Sequence, residues 1–173
     1  MADWSAVYLN STLKSGVGLA AAGYAAFSIV MALGRILGDR LTNRLGSQTM
    51  VRLGGLIAAL GLTLALVFAW VPLALLGFGM VGAGFSIIFP LTLSAAGYAS
   101  KQSSGTAIAT VASCGYVGFL VGPAVIGFAA DTFSLRLSLS VVVLLSLCAA
   151  LCAGVVVSHR QAIPEASVEL GSL

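Results

Sequence analysis

Few residues in this sequence have the chemistry for catalysis, and their spacing works against it. The single histidine, His159, stands beside Arg160 at the end of an apolar run, whereas an intramembrane enzyme needs a base or metal within reach of a nucleophile. Cys114, Cys148 and Cys152 lie inside apolar runs and form no paired motif; Cys148 and Cys152 share a helix face and read as small apolar residues. Gly77-Phe78-Gly79-Met80-Val81-Gly82 fits the pattern G-x-G-x-x-G. No soluble strand precedes it and no acidic ribose partner follows, so helix packing explains it better than a dinucleotide. No cofactor, metal or enzymatic activity is expected. What remains is charge: Arg35, Asp39, Arg40, Arg44 and Arg52 form the densest group in the chain.

The elements that position this group follow from composition. Of 173 residues, 60% are hydrophobic and 8% charged, against roughly 25% charged in a soluble domain. Crossing a bilayer core takes roughly 20 apolar residues. No Asp, Glu, Lys or Arg interrupts the stretches between Lys14 and Arg35, from Leu53 to Ser100, from Gln102 to Ala130, or from Leu137 to His159. The second stretch suffices for two crossings and divides at Trp70-Val71-Pro72, because proline disfavours helix at the residue before it. The expected architecture is all-α and polytopic, with five spans at about 16–36, 53–70, 74–97, 105–130 and 137–158 and very short loops. The runs are too long and too continuously apolar for barrel strands. Residues 1–15 carry Asp3, Trp4 and Asn10 and do not form a signal peptide.

Topology follows from the basic residues. The positive-inside rule places Arg35, Arg40, Arg44 and Arg52 in the cytoplasm. Alternation then puts Lys101 and Arg160 inside and Lys14 and Arg136 outside, six basic residues against two, with the N-terminus out and the C-terminus in. An external N-terminus without a preceding span points to a missing upstream helix, with Ala2 to Ser15 as the external loop after it. Trp4, Tyr8 and Trp70 are expected at the outer interface and Tyr98 at the inner one. Residues 161–173 read as a short cytoplasmic tail.

The run Gly34-Arg35-Ile36-Leu37-Gly38-Asp39-Arg40-Leu41-Thr42-Asn43-Arg44-Leu45-Gly46 resembles the cytoplasmic signature of the major facilitator superfamily, with Asp39, Arg40 and Arg44 at the matching positions. It departs from that signature at Arg35 and Thr42, where the family has glycine. Gly115-Tyr116-Val117-Gly118-Phe119-Leu120-Val121-Gly122-Pro123, continuing to Asp131, looks like the eleventh helix of bacterial members. Ala2-Asp3-Trp4-Ser5 is similar to the loop after the seventh helix in uncharacterised bacterial permeases distantly related to fucose permease. The resemblance implies helices eight to twelve of a twelve-helix transporter of the bacterial inner membrane. It further implies a missing N-terminal half, the lipid bilayer and a small-molecule substrate as partners, and a cytoplasmic gate at Asp39, Arg40 and Arg44. No nucleic-acid partner is expected.

In lipid, helices associate through close packing at Gly, Ala and Ser. Spans 53–70 and 137–158, rich in Leu and Val, are expected to face lipid; 74–97 and 105–130, rich in glycine, are expected to face protein. The substrate-cavity candidates are Tyr24, Phe27, Ser28, Phe85, Ser86, Phe89, Thr110, Ser113 and Tyr116. Pro90 and Pro123 are candidate hinges, and Gly118 with Gly122 forms a small-xxx-small packing pair. No Asp, Glu, Lys, Arg or His lies near the middle of any span, so any ion-coupling residue is expected in the missing part. A non-transporting membrane scaffold, or the relic of a truncated transporter gene, is the alternative reading.

Overall fold

A computed structural model describes residues 1–99 and 103–157. Among the described residues the fold is entirely helical, and five helices are long and apolar enough to cross a membrane. Helix α1 (Ala2–Val7) continues as a π-helical turn, Tyr8–Thr12, and is followed by α2 (Val17–Leu45), α3 (Ser47–Phe68), α4 (Val71–Ala99), α5 (Ser104–Thr132) and α6 (Leu135–Val157). Helices suit a lipid solvent because each satisfies its own backbone hydrogen bonds.

The helices overrun the apolar spans. α2 does not stop at the first charge but carries the whole arginine-rich segment as helix to Leu45. Hydropathy marks where the solvent changes; the backbone hydrogen bonds of a helix have no reason to end there. The connection to α3 shrinks to Gly46, at φ 83° and ψ 151°, backbone that residues with a Cβ rarely adopt. Its amide donates to the Thr42 carbonyl (2.9 Å) and its carbonyl accepts from Met50 (3.1 Å), so the reversal leaves neither group unpaired. α3 ends on Ala69 in the left-handed region. Pro72 lies in the first turn of α4, where its missing N–H costs nothing.

α4 is central: α2, α3 and α5 all pack on it, and α6 packs on α3. The α3–α4 crossing is built on two reciprocal glycine pairs. A Cβ on Gly54 would come within 2.7 Å of the Gly84 carbonyl oxygen, and one on Gly84 would strike the Gly54 carbonyl; Gly61 and Gly77 face each other in the same way. On its other flank α3 meets α6, where a Cβ on Gly55 would lie 2.7 Å from the Ser146 carbonyl oxygen.

This corrects the expected division of faces. α3 is embedded as deeply as α4, with 44% of the apolar window of each buried against the chain, whereas α5 buries none of its own. The leucine content of α3 concealed its packing face, because Leu53, Leu56 and Leu60 point outward while Gly54, Gly55, Ala58, Gly61 and Ala65 point inward. Composition averages over all faces, and packing uses one.

Residues 2–15 differ from the expected loop as well. α1 packs on α2, and the π-helical turn brings Tyr8 and Leu9 into the core rather than to an interface. The Tyr8 hydroxyl donates to the Ala65 carbonyl (3.0 Å), one of the last four carbonyls of α3, which lack partners within their own helix. Its ring meets Phe78 edge-on at 5.9 Å. Trp70 and Tyr98 are exposed.

Candidate substrate cavity and gate

The direction of the helices gathers charge by end. α2 runs toward Gly46 and α3 away from it, so Arg35, Arg40, Arg44 and Arg52 cluster there, with Lys14 and Arg136 at the opposite end. Lys101, His159, Arg160 and the tail 161–173 lie outside the described residues.

The three residues expected to form a gate divide between two grooves. Asp39 joins Arg35, Thr42 and Asn43 of α2 in a groove of about 770 Å³, which α4 closes with Ser86, Pro90 and Ser94 among others. Arg40 and Arg44 line a separate concavity of about 400 Å³ with Leu37, Leu41 and Asn43. Helical geometry requires the split: at 100° per residue, the side chains of Asp39 and Arg44 stand on nearly opposite sides of α2. Among the described residues no ion pair joins Asp39 to any arginine.

A third cavity, about 610 Å³ and mostly apolar, opens between α2, α4, α5 and α6. It gathers three of the substrate candidates, Phe85, Phe89 and Tyr116, with Phe119, Ser146 and the Arg35 side chain. The other candidates disperse. Phe27 belongs to the packed core; Ser86 is buried and donates to the Ala83 carbonyl of its own helix (2.6 Å). Thr110 likewise donates to the Thr106 carbonyl (2.8 Å), as hydroxyls within helices commonly do. Tyr24 and Ser113 are exposed, and Ser28 is half-buried. Pro90 and Pro123 lie inside unbroken helices. Gly118 and Gly122 face open space, with no atom within 4 Å of an added Cβ.

Two features escaped sequence reasoning. Arg35, read as one of the cytoplasmic basic residues and as a departure from a glycine but not as a cavity residue, borders the cavities of about 770 and 610 Å³; its position four residues before Asp39, at the close of an apolar run, was the available signal. The other is α1: Met1, Asp3, Trp4 and Val7 border a cavity of about 350 Å³ with Gly118, Gly122 and Pro123. This cavity shares Phe119 and Val142 with the apolar one, so the two are successive parts of one groove along α5 and α6. Burial holds the Tyr8 phenol above its ordinary pKa, an upward shift that the Arg136 guanidinium only lessens.

The family model described as Major Facilitator Superfamily matches residues 3–171. An uncharacterized MFS-type transporter of Yersinia pestis is 40% identical over 147 residues, covering 85% of this chain and 38% of that protein. An uncharacterized transporter of Sinorhizobium fredii is 36% identical, covering 81% of this chain and 37% of its own length. The membrane protein MosC of Rhizobium meliloti is 33% identical, with 95% of this chain and 40% of that protein covered. The chain thus spans about two fifths of the length of these relatives. No solved structure matches.

Proposed function

The chain belongs to the major facilitator superfamily, and from that premise we propose that it forms helices eight to twelve of a secondary transporter. Together with an N-terminal half, it moves a small solute across the bacterial inner membrane by alternating access. The observation that carries this reading is the open groove along α5. Its lining is apolar, it holds Phe85, Phe89 and Tyr116, and α1 enters it at one end. On this reading α1 is the end of a longer helix rather than a loop, and the residues before Ala2 continue along the groove. The α5 glycines then have something to pack on, and Gly118 with Gly122 becomes a helix contact.

Solute binding falls to the Phe85, Phe89 and Tyr116 rings and Arg35, while the Ser86 and Thr110 hydroxyls are taken up by carbonyls of their own helices. Asp39, on the α4 side of α2, is the gate carboxylate, accepting hydrogen bonds from the partner half when the cytoplasmic side closes and losing them on opening. The Gly46 end is cytoplasmic because four arginines gather there.

The test is twofold. Genomic DNA upstream of Met1 should encode further hydrophobic spans in frame; a promoter and ribosome-binding site in their place would sink the fragment reading. Vesicles holding the chain with its upstream half should take up solutes from a panel of labelled sugars and amphiphiles, and Asp39→Asn should abolish that uptake. Vesicles holding this chain alone should take up none. Lack of uptake by both preparations would favour a membrane scaffold.

A further inference from the structure

α2 is longer than a bilayer core requires. Its 29 residues at ~1.5 Å rise reach roughly 44 Å, against a hydrocarbon thickness of ~30 Å. The apolar run begins at Val17 and the first charge is Arg35, so the edge of the hydrocarbon falls within the last turns of α2 and Arg40 and Arg44 stand at the headgroup layer. One face of α2 packs on α4 through Gly34 and Gly38, close to Ser86 and Ile87. A flank beside that face carries Ile29, Leu33, Leu37 and Leu41, four residues apart and between 44% and 59% exposed. Residues at that interval form a continuous ridge. Arg40 and Arg44, also four apart, flank its headgroup end and enclose the concavity of about 400 Å³ with Leu37 and Leu41. Among the described residues neither guanidinium has an ion-pair partner.

We propose that this face holds one anionic phospholipid, its phosphate clasped between Arg40 and Arg44 and an acyl chain lying along Leu41, Leu37 and Leu33. Charge selects the occupant. A protein helix laid on the ridge would cover two unpaired guanidiniums unless it brought matching carboxylates. An anionic lipid presents phosphate at the height of the guanidiniums, in the geometry the arginine fork accepts, with hydrocarbon directly beneath it. The inference rests on membrane placement and not on transport, so it stands or falls separately from the function proposed above.

The chain is purified from bilayers of phosphatidylcholine containing a minor fraction of phosphatidylglycerol, and the retained lipid is identified by native mass spectrometry. Phosphatidylglycerol should be retained in preference, and R40Q/R44Q should reduce that preference roughly 30-fold, or about 2 kcal/mol. Leu37→Ser with Leu41→Ser, which keeps both charges, should also reduce it, whereas K14Q and R136Q, at the opposite end, should not. Circular dichroism checks that R40Q/R44Q folds; if it does not, R40K/R44K retaining part of the preference and the leucine pair losing it carry the test. The proposal is overturned if the arginine or the leucine variants retain the lipid unchanged. It also fails if the opposite-end variants lose it equally, which would mean diffuse attraction. Displacement by aqueous glycerol 3-phosphate would likewise overturn it, by assigning the clasp to a soluble phosphate.

Discussion

The α3–α4 crossing and one face of α5 are both rich in glycine, yet among the described residues one is the most extensive helix contact and the other lines an open groove. Gly54 opposes Gly84 and Gly61 opposes Gly77, so each missing Cβ makes room for a carbonyl on the facing helix. Gly118 and Gly122 form an equally regular pair on α5 and meet open space. A small residue permits close approach but supplies no attraction by itself; in lipid the gain comes from the atoms brought into contact. A glycine stripe therefore marks a packing face only when another helix presents its complement.

The sharpest way to break the comparison is Gly84→Leu. Its side chain would run into the Gly54 carbonyl and Ala58, and overpacking of this kind costs up to ~3 kcal/mol. A large loss of stability in denaturant titrations of the micelle-bound chain is expected. A change below ~0.5 kcal/mol would mean the crossing is softer than its geometry implies. Gly46→Ala comes next. Nothing crowds the position, so its cost is purely conformational, ~1–3 kcal/mol for a Cβ in this glycine-only region, and thermal unfolding should show it.

Tyr8→Phe probes how α1 is fastened to the packed side. It removes the hydroxyl from the Ala65 carbonyl while keeping the Phe78 contact. A loss of ~1 kcal/mol, with faster amide exchange in residues 2–12, is the expected result. Gly118→Leu completes the series with the smallest effect. In this chain alone it should shift stability by less than ~0.5 kcal/mol, because the added atoms enter open space. In the transporter with its upstream half, the same substitution should abolish uptake. A large destabilisation of the isolated chain would show that α5 already packs on something here.

Legibility varied in the same pattern. The continuous apolar runs announced five membrane helices, and the short connections followed from how little sequence lies between them. The aromatic candidates Phe85, Phe89 and Tyr116 converge, as expected of residues at mid-span on neighbouring helices. Ser86 and Thr110 do not point into the apolar cavity, because a hydroxyl in lipid finds its nearest carbonyl one turn back. Tyr8 looked like an interfacial anchor in one dimension, and only the π-helical turn after α1 carries its ring under α4.

By itself the sequence determined the solvent, the number of membrane-spanning helices and the end at which positive charge gathers. Each depends on local composition acting on a length scale set by the bilayer. Tertiary structure alone decided which helices are embedded and that Arg35 borders the aromatic cavity. Those outcomes depend on which face of a helix meets which neighbour. Periodicity narrows that choice, but only the presence or absence of a facing surface settles it.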